Sequence, residues 1–183
     1  MDRKLVELAQ RGDRHAYEHL ARASADRLYA VAFQITRDRY QADDVVQQAL
    51  VAMWRELPSL RDADRFDGWT YRLVVRAALM ELRHRRSRAS VSLGEHAIAE
   101  ASPDIAADAA QRDELQRALA SLTPELRTVI VLRHLVGMRL DEIGEVMGIP
   151  YGTVGSRLHR ATRELRAAMD AAERSHRMGG QPA

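Results

Sequence analysis

From Gly152 to Arg166 the chain gathers hydrogen-bond donors and cations, and their spacing brings most of them to one side of a helix. Thr153, Ser156, His159, Arg160 and Arg163 share one arc, with Arg157 and Arg166 at its flanks. An arginine there can fork two donors onto guanine O6 and N7, and Ser or Thr reaches bases or phosphates. On this helix alone, a merely solvated basic face would look the same. Other chemistries find little support. The seven histidines include His15 and His19, four apart, but no HExxH arrangement or matching carboxylate set accompanies them, so they read as surface residues. Without cysteine there is no disulfide, thiolate nucleophile or cysteine-ligated zinc. A glycine-rich phosphate loop and a Gly-x-Ser-x-Gly elbow are also missing from the sequence, and no catalytic residue, metal or cofactor is expected.

The elements that must position the basic arc are legible on either side of it. Val154, Leu158, Ala161, Leu165 and Ala168 form the opposite, apolar stripe of a helix that starts at Gly152. A preceding short helix offers Leu140, Ile143, Val146 and Met147 as a complementary seam, while Asp141, Glu142 and Glu145 face water. Gly148-Ile149-Pro150 makes the turn, since glycine carries the backbone past the helix end and proline cannot continue a hydrogen-bonded helix. Two short helices, a glycine-containing turn and cations early in the second define a helix-turn-helix, whose second helix lies in the major groove.

Upstream, Thr123-Pro124 breaks a helix over Gln111–Leu122 from one over Glu125–Leu135, in which Leu126, Val129, Ile130 and Leu132 point inward; Gly137 closes it. The first part of the chain is patterned entirely as helices. Leu5 to Leu20 suggests a helical hairpin, Leu28 to Ile35 a second helix, and Gln41–Leu57 a third with a polar patch of Asp43, Asp44, Gln47 and Gln48. After Pro58 and a charged loop, Ser59–Asp67, a fourth helix has Phe66, Trp69, Leu73, Ala77 and Met80 as its buried stripe and ends in a cation cluster, Arg83, Arg85, Arg86 and Arg88.

Composition and charge set the outer bounds. A chain of 183 residues with 30% charged and 46% hydrophobic residues is globular, with room for one large domain or two small ones. No apolar run is long enough to cross a bilayer and the N-terminus has no signal-peptide core, so the expectation is a soluble, cytoplasmic protein without membrane insertion. The net charge of +2 is small for a protein that holds DNA by electrostatics alone, and a larger partner would resolve this. Charge divides the chain into residues 1–86 (+3), 87–110 (−3) and 111–183 (+2). The Ala- and Ser-rich middle reads as a flexible linker, and the tail 175–183 as disordered.

Two separate segments resemble one family, the bacterial RNA polymerase sigma factors of the extracytoplasmic-function type, which keep only conserved regions two and four. Gln41–Trp54 resembles the core-binding helix of region two; Leu122–Arg133 and Gly152–Ala161 resemble region four. The resemblance implies an all-α fold of two small helical domains, a region-two bundle (1–86) and a region-four helix-turn-helix (111–174), joined by the linker 87–110. It also implies an alternative sigma factor that binds core RNA polymerase and directs promoter-specific initiation, with the polymerase doing the chemistry. Asp43, Asp44, Gln47 and Gln48 would meet the polymerase clamp. The loop from Ser59 to Asp67 would capture a base of the minus-ten element, and the minus-ten set would comprise Arg61, Arg65, Phe66, Trp69, Tyr71, Arg72, Arg76, Arg83, Arg85 and Arg86. Arg133, Thr153, Ser156, Arg157, His159, Arg160 and Arg163 would serve minus-thirty-five DNA. The sequence departs from the family's usual residues at Gly155, Arg76, Met80, Gln41 and Gln48.

The alternative reading is a stand-alone helix-turn-helix regulator that dimerises through residues 1–86, although no heptad-like seam is visible. For regulation, the resemblance implies that the two domains pack on each other across the linker and hide both DNA faces, or are held so by an anti-sigma partner.

Overall fold

The computed structural model describes residues 1–91 and 108–179, and among them every regular element is helical. The order is α1 (Arg3–Gln10), α2 (Arg14–Thr36), α3 (Arg39–Glu56), α4 (Phe66–Val91), α5 (Asp108–Ser121), α6 (Pro124–Ile130), α7 (Leu140–Met147) and α8 (Tyr151–Gly179). Short 3-10 turns, Leu57–Ser59 and Ala63–Arg65, fill the loop between α3 and α4, and a π turn, Val131–Leu135, extends α6.

Caps explain where several helices begin. Asp2, Asp13 and Asp38 each accept a backbone N–H from the first turn of α1, α2 and α3, and Thr123 does the same for α6 with Pro124 in the first helical position. Residues 14–36 form one continuous helix rather than the end of a hairpin plus a second helix. No glycine or proline interrupts that span, and Ala16, Leu20, Leu28, Val31 and Ile35 stay on its buried side.

The boundaries of the middle and the tail also differ from expectation. α4 runs to Val91 and α5 starts at Asp108, so both ends of the 87–110 span are helical, and 92–107 lie outside the described residues. At the C-terminus α8 continues to Gly179 rather than stopping near 174, because AAERSHRM holds no helix breaker; 180–183 lie outside the described residues.

The core is shared. Leu20, Leu28, Ile35, Val45, Met53 and Phe66 from the first four helices pack in one continuous apolar cluster with Val129, Leu132, Ile143, Val146 and Val154 from the second half. A smaller cluster, Leu119, Leu122, Leu126, Ile130 and Ala161, holds α5 and α6 onto α8. Within α4 the buried positions are Leu73, Val74, Val75, Ala78 and Leu79; Met80, expected on that stripe, is 48% exposed. The stripe turns away before Met80 because α3 and α2 flank α4 on the side of Val74 and Ala78.

Candidate nucleic-acid interface

α8 presents the expected basic arc. Its apolar stripe is sealed by Val154 and Ala161, both fully buried, with Leu158 and Leu165 half-buried against the neighbouring helices. Opposite them Ser156, His159, Arg160 and Arg163 are exposed, while Thr153 and Arg157 are half-buried. Two of these side chains have local partners: Ser156 Oγ donates to the Thr153 carbonyl, and Arg160 Nε donates to Glu164 at 2.7 Å. Any base contact by Arg160 would therefore compete with Glu164 one turn away.

The angle between α7 and α8 depends on two glycines. Gly148 caps α7 with φ of +66°, and Gly144 lies so close to the turn that a Cβ there would meet the Ile149 carbonyl oxygen at 2.9 Å. Gly144 was not legible as special, because a glycine inside a helical pattern carries no mark of what crosses above it. At the other end of α7, Arg133 holds the segment that leads into the helix by donating to the Met138 carbonyl at 2.9 Å.

On the first half, Asp43, Asp44, Gln47 and Gln48 are all exposed on α3, and Ala42, Val45, Val46 and Ala49 are buried on its other side. Gln41 sits inside instead, donating to Asp38 at 2.7 Å.

The residues expected at minus-ten DNA separate into distinct groups. Arg61, Arg65 and Arg72 are exposed at the mouth of a cleft of about 860 Å³ between the α3–α4 loop and the segment Val136–Val146. Trp69 is half-buried in its wall, tilted against Phe66. Tyr71 is held from behind, with the Arg27 guanidinium 5.1 Å from its ring centre; the same arginine pairs with Asp67 at 2.7 Å and donates to Thr70 and Ser24. Further along α4, Arg76, Arg83, Arg85 and Arg86 are exposed, and Arg85 lies 3.5 Å from Asp38. Phe66 does not belong to the set. It is fully buried, because as the first residue of α4 it points into the core and closes the charged loop from below.

The halves meet along this cleft. On the far wall Asp141, Glu142 and Glu145 of α7 face the loop's arginines, and Arg65 approaches Glu145 at 3.7 Å. Deeper in, Arg127 bridges the halves with a buried guanidinium. It donates to the carbonyls of Leu119, Ala120 and Leu122 at the end of α5 and to Ile35 of α2, at 2.7–3.0 Å. Burial, with the nearby Arg37 and Arg86 charges, pushes its pKa down to about 10. Nothing in the sequence marks Arg127 as buried, since Glu125 and Thr128 beside it make that part of the helix look half polar. Packing thus sets the acidic side of α7 across the cleft from the α3–α4 loop, while the arginines of the loop and of α4 and the basic arc of α8 all remain exposed.

Among the described residues no group of three or more His, Asp or Glu side chains could hold a metal, and no helix is long and apolar enough to cross a membrane.

Comparison with known proteins matches these two halves separately. Residues 20–88 match the family model for Sigma-70 region 2, and residues 112–165 that for Sigma-70, region 4. Over 92% of its length the chain is 32% identical to the RNA polymerase sigma-H factor of Pseudomonas aeruginosa, of which it spans 93%. It is 33% identical to the ECF RNA polymerase sigma-E factor of Escherichia coli over 90% of the chain and 92% of that protein. SigE of Mycolicibacterium smegmatis, an ECF RNA polymerase sigma factor, is 31% identical over 82% of the chain, which spans 60% of that longer protein. The solved structure of CnrH in complex with the cytosolic domain of CnrY superposes with a TM-score of 0.68 at 29% identity, covering 93% of this chain and 97% of that one. With both regions present in order on one helical chain, this protein belongs to the ECF RNA polymerase sigma factors.

Proposed function

We propose that the chain binds core RNA polymerase through the exposed α3 face of Asp43, Asp44, Gln47 and Gln48, and directs it to promoters in the cytoplasm. The polymerase carries out the chemistry, and the chain has no reaction of its own. Region two, within residues 1–86, reads and melts minus-ten DNA with the α3–α4 loop and the arginines of α4. Region four, within 111–174, reads minus-thirty-five DNA with Ser156, His159 and Arg160, supported on the backbone by Thr153, Arg157 and Arg163. Arg133 adds a further contact to the DNA backbone or a base edge. The observation that carries this reading is the placement of two exposed polar faces of different chemistry, one acid-amide and one basic, on separate halves of a single helical chain.

Charge economy fits the same division of labour. A net charge of +2 gives weak attraction to DNA by itself, so affinity has to come from a complex with a larger basic partner. CnrH is solved with the cytosolic domain of CnrY, and a protein of the anti-sigma kind is proposed to hold this chain similarly. No feature of the described residues favours a stand-alone regulator.

The test is run-off transcription with purified core enzyme and a genomic promoter library. Specific transcripts that require the added chain are expected. Tight, sequence-specific duplex binding by the chain without polymerase, and no transcripts with it, would sink the proposal.

A further inference from the structure

We infer that α1 acts as a brace for the promoter-reading loop, with Gln10 as the positioning residue that sets the loop's shape. This rests on the reading of the α3–α4 loop as the element that captures a minus-ten base. The helix itself lies outside the span that matches region two, which starts at residue 20.

The loop is stabilised internally only in pieces. Its first turn closes with the Leu60 amide on the Leu57 carbonyl at 3.1 Å, and its second with the Arg65 amide on Asp62 at 3.1 Å and the Asp64 amide on the Asp62 carboxylate at 3.0 Å. Between the turns the backbone leaves Leu60 in an extended conformation, so neither closure fixes one turn relative to the other.

Gln10 ties the first of these turns to α1, so that the turn is held by the bundle and not only by its own closure. Its Nε2 donates to the Leu57 carbonyl at 3.2 Å and the Leu60 carbonyl at 2.6 Å, contacts that bridge 47 and 50 residues of sequence. An amide nitrogen has two N–H donors, and both are spent on carbonyls flanking the first turn. At the other end of α1, Arg3 reaches Asp64 of the second turn at 3.0 Å while also holding Glu7 at 2.9 Å. The Arg3 pair is exposed and contributes little. The Gln10 contacts are partly buried, and their loss would leave the Leu60 carbonyl short of a donor while the Leu57 carbonyl keeps the Leu60 amide.

A brace must itself be anchored, and α1 is. Val6 is fully buried and Ala9 nearly so, both in the core cluster, and the turn at Gly12, with φ of +93°, returns the chain directly into α2. Gln10 thus transfers the rigidity of the bundle to a loop whose own bonds are local. A pre-shaped loop discriminates better, because a floppy one loses part of its binding energy to ordering whichever base it meets.

The test uses the full chain with core polymerase. Gln10→Glu keeps size and shape but puts a carboxylate against two carbonyl oxygens, Gln10→Ala removes the group, and Gln10→Lys retains a donor of sufficient reach. The readouts are hydrogen exchange of the loop amides in the free protein and the transcription ratio between templates differing only at the captured base. Glu and Ala variants are expected to speed loop exchange and to cut the ratio, each on the order of tenfold as befits a lost part-buried donor. Core affinity should hold and melting should fall by only about a few degrees, and the Lys variant should return both readouts to near wild type. Loop exchange in Gln10→Glu equal to wild type overturns the brace, as does equal damage in the Lys and Glu variants. Arg61→Ala separates the two layers of inference. If it alone lowers the ratio, the brace fails and the loop reading stands; if Gln10→Glu loosens the loop while neither variant alters the ratio, the loop reading fails and the proposal with it.

Discussion

Arg127 offers the sharpest quantitative test of how the halves are joined. Its four hydrogen bonds run from a charged donor to backbone carbonyls, a class of bond worth about 1.5–3 kcal/mol each. Against them stands desolvation: a pKa pushed from 12.5 to about 10, at about 1.4 kcal/mol per tenfold in proton affinity, costs on the order of 3 kcal/mol. Arg127→Met fills the space but leaves the end of α5 and the Ile35 carbonyl without their donor, and should cost about 3–5 kcal/mol. For a chain of this size that is roughly a 6–20 °C drop in melting temperature. Arg127→Lys, whose ammonium cannot reach four carbonyls spread around a planar fork, should lose about half as much. The loss must be the same at pH 6 and pH 8. A base whose folded pKa is depressed to about 10 carries its full cost at every pH well below 10, and that cost is relieved only as pH rises through that value. Calorimetry of both variants decides the matter. A loss under about 1 kcal/mol for Arg127→Met would mean water satisfies the carbonyls and the bridge is incidental.

Four further outcomes can be checked in parallel. Gly144→Ala should cost about 1–3 kcal/mol and lower affinity for minus-thirty-five DNA in the holoenzyme, since the new Cβ would force the turn carbonyl 2.9 Å away to move; calorimetry and gel shifts on the holoenzyme would show it. Arg160→Ala should lose about 1–3 kcal/mol of discrimination at one base pair and leave other positions unchanged, read by gel shifts with single-substituted promoters. Asp43→Lys with Asp44→Lys should weaken core polymerase binding by about tenfold or more in a titration, with no change in melting, since both side chains are exposed on α3. Asp141, whose carboxyl the Arg139 hydrogen bond holds below its ordinary range, stabilises the fold above that range and loses the contribution as pH falls through it; the melting difference of Asp141→Asn should therefore be flat between pH 6 and 8 and shrink only in acid.

What could be read in the sequence was what repeats at helical period. The α7–α8 unit was visible because Ile143, Val146, Val154 and Ala161 keep step with the helix, and because Gly148 and Pro150 punctuate it. The exposed patch of α3 was visible by the same arithmetic. Features that depend on distant partners were not. Gln10 looks like any polar helix residue until a loop nearly fifty positions away comes to rest on it. Phe66 was legible as part of the buried stripe of α4 and is fully buried, although the resemblance also put it among the minus-ten residues. Helix ends were also hard to place where no breaker follows, as with α8 running on to Gly179.

The contact between the halves is uneven, and this bears on the order in which the proposed DNA contacts form. Its depth is apolar and continuous, with Val129, Leu132, Ile143 and Val146 sharing a core with α2 and α4, and with Arg127 reaching across to Ile35. Its rim is the Arg65–Glu145 approach, exposed on both sides and worth under about 1 kcal/mol. Parting the rim alone would free the loop arginines at little cost, whereas separating the halves fully would expose apolar surface that something else must cover. The basic arc of α8 needs neither movement, since it already faces solvent. On the proposed roles, region four would be ready for DNA in the closed chain, while the loop arginines of region two would first have to part from the acidic wall of α7. A duplex could engage α8 before the minus-ten loop is free, and core polymerase, by covering the parted apolar surfaces, would supply what the rim pair lacks.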